Sequence, residues 1–460
     1  MKGKDPLVTI YVVNHNYEKY LEESIQSCID QTFKDFEVLI INNSPCDESE
    51  KIIEKYLNVD RVRTFIGVDS RLVSAANLAL HESRGKYIMR LDADDFLHAD
   101  ALLVMTAEIQ KDQKTKIVFP DYFNVDNDGN ILSIVQRIAF QDDDILKDLV
   151  AHGACTLFEK EALLDKGGYD SDLECQDGFD LWMKVALDNQ VRNVNLPLFY
   201  YRQHPKSLST NTNRLLEARI SVLTKQQSQK NATENGSTVA ILPNLGKFGL
   251  NNFCNETLGD RSLVFRCIDQ LLLSKHVDSI VFSTPDTELA DTVRGEFGET
   301  VEIHLRALDG ELVGDHSLTE SLRQCIQEIG YGDNRNAFIA NAHSPFINHK
   351  HIDAAILVFK QFDVDYVIAV KRVTENHYVH RGLGMESIGN NSYLSAVDKE
   401  FERFYKQIPG VFALSIDRLM ESKNLLDGTV GHILVDDQAA LTIKTPFDLK
   451  IAKMLDQGVG

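Results

Sequence analysis

Short apolar segments and amphipathic segments alternate along the first 90 or so residues of this chain, and this alternation restricts the possible folds more than any other feature. The strand-like segments are apolar and rich in β-branched residues, and they cover residues 6–13, 35–41, 61–67 and 86–91. The segments between them carry apolar residues at helical spacing, and they cover residues 17–31, 48–57 and 72–83. Strands separated by helices of this length form βαβ units, so we expect a mostly parallel sheet.

The alternation stops near residues 224–238, where Gln, Asn, Ser and Gly replace the apolar pattern, and it restarts afterwards. We therefore place a first domain at 1–225, a linker at 226–237 and a second domain at 238–460. Strand-like and helical segments alternate again in the second domain, from "TVAILP" to a last helix at 446–455. The chain is thus predicted to consist of two α/β domains in tandem.

The charge and the apolar content exclude several classes of function. The chain has 48 basic and 69 acidic residues, which give a formal net charge of −21. Because sequence-independent binding of nucleic acids needs an excess of basic side chains, we expect no nucleic-acid partner. No run of about 18 apolar residues is present, which predicts no integral membrane segment, and the N-terminus lacks the features of a signal peptide. The seven cysteines are scattered without a C-x-x-C pair, as expected for reduced thiols in a cytoplasmic protein.

Three carboxylates, those of Asp92, Asp94 and Asp95, follow the strand at 86–91 in the sequence "YIMRLDADDFL". Open parallel sheets bind ligands at the carboxyl ends of their strands, which is where these residues lie. Two carboxylates one residue apart can share a divalent cation, and Mg²⁺ or Mn²⁺ accepts such ligands together with substrate phosphates. The alternative is that Asp94 or Asp95 caps the helix that follows.

The first half contains, in this order, the motifs "VTIYVVNHNYEKYLEESIQSCIDQTFKDFEVLIINNSP", "GKYIMRLDADD", "HGACTLFEKEALLDKGGYD", "QDGFDLWMKVALDN" and "FYYRQHPKSLS". With these motifs it resembles family-2 glycosyltransferases of the inverting GT-A type over about residues 6–212. The resemblance implies a metal-dependent enzyme that moves a sugar, with inversion, from a nucleotide-sugar donor to an acceptor hydroxyl. It further implies a role in surface glycan or glycoprotein biosynthesis, with a glycan, lipid-linked or protein acceptor.

The same resemblance assigns roles to individual residues. Asp94 and His204 would bind Mn²⁺ or Mg²⁺, and Asp92 would contact the donor ribose or reach the metal, for example through water. Asp177 would be the catalytic base that takes the proton of the acceptor hydroxyl. The alternatives are a surface position for His204 and a helix N-cap role for Asp177. The donor would contact Val13, His15, Asn42, Asn43, Asn77, Asp92 and Ala93.

The pair Asn42-Asn43 departs from the family pattern, which has an acidic pair after the second strand. In the family the first carboxylate of that pair accepts a hydrogen bond from N3–H of uracil. An asparagine amide can either accept or donate, so Asn42 would bind uracil more weakly or would donate to N3 of cytosine. The alternative is that backbone groups hold the base. His15 stands where the family places an aromatic ring, and the motif at 176–177 is Gln-Asp instead of Glu-Asp.

Residues 238–458 resemble the cytidylyltransferases that activate acidic sugars with CTP, such as CMP-sialic acid and CMP-Kdo synthetases. The stretches that carry this resemblance include "AILPNLGKFGL", "ANAHSPFINHKHIDAAI" and "LTIKTPFDLKIAKML". In that family a glycine-rich turn after the first strand cradles the triphosphate. The nucleotide-binding candidates in this chain are Asn244, Gly246, Lys247 and Asp315.

Several parts of that second site are missing, which predicts a degenerate domain. The loop after the first strand is shortened and lacks its arginine, and Lys444 occupies the place of a late aspartate that holds Mg²⁺ in the family. Asp286 and Asp448 are retained, but each would also suit an ordinary turn or cap. The resemblance to dimeric synthetases predicts a homodimer through the C-terminal domain.

Together these patterns predict two Rossmann-like α/β/α domains in tandem, a GT-A nucleotide-diphospho-sugar transferase fold followed by a nucleotidyltransferase-like fold. The favoured hypothesis is an inverting, metal-dependent glycosyltransferase with a non-catalytic second domain. One alternative is a bifunctional enzyme that also makes a CMP-sugar from CTP. Another is a sugar-nucleotide-binding or scaffold protein without catalysis, against which the presence of Asp92, Asp94, Asp177 and His204 argues.

Overall fold

Two compact units make up the chain in a computed structural model. The first unit comprises residues 1–210 and 375–403, and the second comprises 211–374 and 404–460. The structure describes residues 5–43, 48–67, 71–136, 153–173, 177–186, 188–204, 212–229, 236–248, 253–306, 318–330, 336–362, 364–373, 377–380, 385–388, 398–400 and 404–458.

The helices and strands follow the predicted alternation. Up to residue 210 they are β1 (Val8–Asn14), α1 (Glu18–Ile29), β2 (Phe36–Asn42), α2 (Ser49–Glu54), β3 (Val62–Ile66), α3 (Leu72–Glu82), β4 (Tyr87–Asp92), β5 (Phe96–Leu97), α4 (Ala101–Ile109), β6 (Thr115–Val125), β7 (Ile131–Val135), β8 (Leu157–Glu159), α5 (Lys160–Asp165), α6 (Asp177–Ala186) and β9 (Gln190–Arg202). From 211 to 374 they are α7 (Thr212–Gln229), β10 (Thr238–Pro243), β11 (Thr257–Leu258), β12 (Arg261–Ser262), α8 (Leu263–Leu273), β13 (Ser279–Thr284), α9 (Thr287–Phe297), β14 (Glu302–Leu305), α10 (Leu318–Ile329), β15 (Asn336–Ile339), α11 (His349–Gln361) and β16 (Tyr366–Val373). The remaining elements are β17 (His377–His380), β18 (Met385–Ile388), β19 (Asp398–Glu400), β20 (Phe404–Ser415), α12 (Ile416–Glu421), β21 (Val430–Leu434) and α13 (Pro446–Asp456).

The sheet of the first unit has a parallel centre and antiparallel additions. Strands β3, β2, β1 and β4 are parallel neighbours in that order. Beyond β4 the order continues with β8, β6, β7 and β19, and β9 pairs with both β5 and β6. The expected mostly parallel sheet is therefore mixed, because the chain reverses direction in the β6–β7 hairpin and between β4 and β8.

The central strands are buried and mostly apolar because helices can cover both faces of a parallel sheet. Every residue of β1 and β2 is buried. On α1 the buried residues recur at helical spacing, at Leu21, Ser24, Ile25 and Cys28, so this helix places one apolar stripe on the sheet.

The second unit contains a seven-stranded sheet in the order β14-β13-β10-β15-β20-β16-β21. It is also mixed, since β20 runs antiparallel to both β15 and β16. Helix α7 packs against α11 within this unit. The predicted linker at 226–237 thus overlaps the end of α7, whereas the chain divides near residue 210.

A second difference from the predicted division concerns residues 375–403, which belong to the first unit, where β19 pairs with β7.

In the described ranges no helix is long and apolar enough to cross a membrane. Five cysteines lie in these ranges, and all five are free thiols.

Candidate functional site

The carboxyl ends of β1, β2 and β4 bring most of the predicted site residues of the first unit to one edge of the sheet. In the parallel register Val13 of β1 lies beside Asp92 of β4, and Asn14 lies beside Asn42 of β2. Val13 and Ala93 are buried. Because parallel strands end at the same edge, side chains from three segments that are distant in sequence meet here.

Asp94 and His204 form the centre of this site. The Nε2 atom of His204 lies 2.9 Å from an oxygen of the Asp94 carboxylate, although 110 residues separate the two in sequence. The His204 side chain is only 6% exposed, so the alternative of a surface histidine is wrong. Burial, together with the nearby Asp92 carboxylate, raises the pKa of Asp94 above its usual value.

Two tyrosines of the first turn after β1 enclose the imidazole of His204. The ring of Tyr17 meets it edge-on at 5.7 Å between centroids, and the ring of Tyr20 stacks on it at 6.1 Å. Burial, with further contributions from the nearby aspartates, raises the pKa of Tyr17, so this hydroxyl stays protonated. Neither tyrosine was a predicted site residue, since nothing in the local sequence pattern connects them to a histidine so far along the chain.

Asp92 is held by Arg90 from the same strand. The Arg90 Nε atom lies 2.9 Å from a carboxylate oxygen of Asp92, and 29% of the Asp92 side chain is exposed. Asp92 is thus partly charge-compensated but still accessible. A carboxylate with these properties can accept a hydrogen bond from a ligand hydroxyl or share a cation with Asp94.

Asp95 does not cap a helix. Helix α4 begins at Ala101 after Asp100, and Asp95 instead accepts a hydrogen bond of 2.9 Å from the backbone N–H of Arg202. Its other oxygen is buried without a hydrogen-bond partner. Burial and the Asp94 and Asp92 carboxylates raise the pKa of Asp95 well above its usual value. The alternative of a cap was therefore wrong for both Asp94 and Asp95.

Arg202 connects the acidic segment to its surroundings and was also missed from sequence. Its fully buried guanidinium donates to the carbonyl oxygens of Asp94, Asp126 and Asn127 at 2.9–3.1 Å and to the Glu23 carboxylate at 2.6 Å. Because one planar group with five donors serves four separate acceptors, it fixes the backbone on which Asp94 lies.

The two asparagines at the end of β2 differ in their environment. Asn42 is fully buried and accepts a hydrogen bond of 2.9 Å from the side chain of Asn14, which also donates to Ser49. Asn43 is 4% exposed, and neither atom of its amide has a hydrogen-bond partner. His15 is exposed. A buried amide without partners is costly, and a ligand could satisfy it.

Asn77 has a structural role in addition to any contact with a donor. Its amide donates to the carbonyl of Tyr169 at 2.8 Å and accepts from the N–H of Tyr169 at 2.9 Å. Helix α3 is thereby fixed to the loop after α5.

The start of α6 lies close to the site through two glycines. Asp177 is the first residue of α6, and its side chain lies outside what the structure describes. A Cβ atom added to Gly178 would lie 2.9 Å from the Cα of Gly153, and one added to Gly153 would lie 2.9 Å from the Arg90 guanidinium. Cys155, two residues after Gly153, has a left-handed backbone conformation, with φ of 55°. These contacts bring the first turn of α6 near the residues that hold Asp92.

The donor set suits a hard divalent cation. Within the described ranges, no group of three or more His, Cys, Asp or Glu side chains has the arrangement of a complete metal site. However, Mg²⁺ and Mn²⁺ are commonly held by one or two carboxylates plus substrate phosphates, so Asp94, His204 and Asp92 supply enough ligands.

The second unit places its candidate residues differently. Asn244 and Gly246 line a cavity of about 810 Å³. Lys247 instead pairs with Asp286 and Glu288, at 3.8 and 3.3 Å. Asp315 lies outside the described residues.

The two retained aspartates of the second unit are helix caps. Asp286 caps α9, and Asp448 belongs to the capping box of α13. Lys444, which stands where the resemblance expects a metal-binding aspartate, lines the cavity.

Comparisons with known proteins assign the first unit. Residues 9–165 match the profile of glycosyl transferase family 2. An uncharacterized glycosyltransferase of Methanocaldococcus jannaschii is 31% identical over 207 residues, which cover 43% of this chain and 71% of that protein. Chondroitin synthase of Escherichia coli is 29% identical over 191 residues, covering 41% of this chain and 28% of that protein. The match spans less than a third of the curated chondroitin and hyaluronan synthases.

Among solved structures, the mannosyltransferase PcManGT from Pyrobaculum calidifontis, in complex with GDP-Man and Mn²⁺, is 16% identical. It superposes with a TM-score of 0.40 over 50% of this chain and 66% of its own. The family assignment depends on the sequence matches, and these lie in the segment that carries Asp92, Asp94 and Asp95. The predicted enzyme class is confirmed at the level of the family: this chain belongs to glycosyl transferase family 2.

Proposed function

We propose that the first unit transfers a sugar, with inversion, from a nucleotide-sugar donor to an acceptor hydroxyl in surface glycan or glycoprotein biosynthesis. The observation that carries this proposal is the buried Asp94–His204 pair, at 2.9 Å, beside Asp92 at the carboxyl edge of a family-2 sheet. Buried carboxylates with raised pKa values, gathered at a strand end, are frequent in functional sites.

The proposed metal ligands are Asp94 and His204, with Asp92 as a ligand or as a contact of the donor ribose. When bound, Mn²⁺ or Mg²⁺ would neutralise the charge that develops on the leaving nucleoside diphosphate. The protein's part is to hold the ligands in place: Arg202 fixes the Asp94 backbone, and Tyr17 and Tyr20 orient His204. Ligands that are already positioned lose little entropy on binding.

Asp177 is the proposed catalytic base. It begins α6, whose first turn reaches the site through Gly178, Gly153 and Arg90. An aspartate carboxylate is a group that can accept the proton of an acceptor hydroxyl.

The buried Asn42 and Asn43 are the proposed base-reading residues. Unlike a carboxylate, an amide can donate as well as accept, so this end of the site can bind cytosine as well as uracil. The unpartnered amide of Asn43 supports this assignment because a base edge would satisfy it.

The test is a set of three variants assayed for release of the nucleoside diphosphate from a panel of sugar nucleotides with Mn²⁺. Asp94→Asn and His204→Ala should weaken Mn²⁺ binding, measured by calorimetry, and reduce transfer. Asp177→Asn should bind donor normally but lose transfer by about 10²- to 10⁴-fold, the range for loss of a general base. Asp128→Asn, an exposed carboxylate of the same unit, is the matched control.

Two results would contradict these assignments. If Asp177→Asn turns over at the wild-type rate, Asp177 is not the base. If Asp94→Asn and His204→Ala bind Mn²⁺ as tightly as the wild type, the metal site lies elsewhere.

For the second unit we propose a cytidylyltransferase-like domain that has lost catalysis and forms a homodimer. Support comes from Asp286 and Asp448, whose carboxylates are used as helix caps, and from Lys444, whose charge would repel a metal ion. Pyrophosphate release from CTP with acidic sugars should be undetectable, and clear release would favour the bifunctional alternative. Light scattering of the full chain should give the mass of a dimer, and a monomer would refute the dimer.

A further inference from the structure

The cavity of the second unit is large enough for a small metabolite. Its volume of about 810 Å³ is within the range of roughly 300–1,000 Å³ that is usual for ligand pockets. It lies at the carboxyl ends of β10 and β15, where Pro243 and Ile339 line it. Its apolar wall includes Leu318, Leu322 and Phe412.

The charge of this cavity is opposite to that of the chain as a whole. Among the described residues that line it, the charged side chains are those of Arg306, Lys423 and Lys444, and none is an aspartate or glutamate. In the entire sequence acidic residues outnumber basic ones by 69 to 48. Cations concentrated in a cavity with apolar walls attract an anion strongly, because the low-dielectric surroundings focus their field.

Arg306 is the residue that points to a ligand. It is 8% exposed, its Nη2 atom donates to the carbonyl of Asn244 at 3.1 Å, and its Nε atom is buried without an acceptor. Among the described residues no carboxylate pairs with it, and burial lowers its pKa from the usual value. Arg202 in the first unit is also buried, but it has a carboxylate partner and carbonyl acceptors. An uncompensated buried guanidinium destabilises the free protein unless an anion binds to it.

The two retained aspartates of this unit supply no metal site for the cavity. Asp286 accepts hydrogen bonds from the N–H groups of Lys247 and Leu289, and Asp448 accepts from those of Lys444 and Thr445. Neither lines the cavity. Among the described residues, the groups that can compensate the negative charge of a ligand are therefore the protein's own cations.

We propose that this cavity binds a small hydroxylated organic anion without a divalent cation. The anionic group of this ligand is a phosphate ester or a carboxylate, and Arg306 pairs with it. Lys423 and Lys444 add positive charge at the exposed side of the cavity, and the amides of Asn244 and Asn341 face the polar body of the ligand. This site goes beyond the proposed transferase and does not depend on it, since all its residues belong to the second unit.

The test is calorimetric titration of the full-length protein in EDTA with CMP, UMP, inorganic phosphate and glucuronate. We expect binding of at least one of these anions. Binding by the nucleotides or phosphate identifies a phosphate ligand, and binding by glucuronate alone identifies a carboxylate ligand. Arg306→Gln should weaken binding by about 10- to 100-fold, the equivalent of losing one hydrogen-bonded charge contact. Arg294→Gln is the matched control, because Arg294 is an exposed arginine of the same unit that lies outside the cavity, and it should bind like the wild type.

Thermal unfolding separates a binding defect from a folding defect. Because Arg306 is uncompensated, Arg306→Gln should melt at or above the temperature of the ligand-free wild type, and only the wild type should be stabilised by the anion. Asp94→Asn should keep full binding, which makes failure of this site distinguishable from failure of the transferase. The proposal is overturned if no anion of the panel binds in EDTA, if binding requires Mg²⁺, or if Arg306→Gln binds as tightly as the wild type.

Discussion

Replacement of Arg202 by lysine should destabilise the first unit while leaving its net charge unchanged. The Arg202 guanidinium donates to the carbonyls of Asp94, Asp126 and Asn127 and to the Glu23 carboxylate. A lysine ammonium is a single point of positive charge, so it cannot reach acceptors that lie on separate sides of a planar fork.

The expected cost follows from the groups that lose their donor. The buried bond to the Asp94 carbonyl is worth about 1–3 kcal/mol, and the two partly exposed turn carbonyls about 0.5 kcal/mol each, since water can replace the donor there. The guanidinium also lies 4.5 Å from the ring of Tyr20, a contact worth about 0.5–1 kcal/mol. The ion pair with the half-exposed Glu23 adds little. The total is about 3 kcal/mol.

Trp182 allows this loss to be measured in the first unit alone. It is the only tryptophan of the chain, it is 2% exposed, and its ring packs edge-on against Phe119. Urea unfolding followed by its fluorescence should show a midpoint lower by roughly 1–2 M for Arg202→Lys, taking a slope of about 2 kcal/mol per M. Arg63→Lys is the matched control, because the Arg63 side chain is 26% exposed and pairs with Glu37 and Glu82. A midpoint for Arg202→Lys equal to that of the control would refute the reasoning.

Two further predictions concern the start of α6 and the pH dependence of the second unit. Gly178→Ala should lower kcat by about tenfold with little change in donor KM, because the added Cβ would displace the first turn of α6. Gly295→Ala is the control and should leave kcat unchanged, because a Cβ added there meets open space. Burial lowers the pKa of His351 from 6.5 to about 4, so the unfolded chain binds the proton more tightly and stability is lost as pH falls from 6.5 towards 4. By pH 5 the free energy of unfolding of the second unit should fall by about 2 kcal/mol, which calorimetry should detect as a lower transition temperature. If His351→Gln loses the same amount of stability, the pH dependence belongs to other groups.

Sequence patterns alone predicted the secondary structure of both α/β segments and the sheet edge at which the site of the first unit lies. The predicted strands and helices before Asp92 all occur, with ends within a few residues of the observed ones. Periodicity succeeds here because it records which face of a segment is buried, a local property of helices and strands. The acidic segment was also recognisable, since a strand that ends in three carboxylates has few structural uses.

Which side chains meet became known only from the folded chain. Asp94 bonds to His204 across 110 residues, Asp95 accepts from the backbone of Arg202, and the amide of Asn77 is used by Tyr169. Hydrogen-bond partners that are distant in sequence depend on strand register and on the packing of loops, and a single sequence has no periodic signal for either. Residues 375–403 illustrate the same limit, because their assignment to the first unit depends on pairing between β19 and β7, which are far apart along the chain.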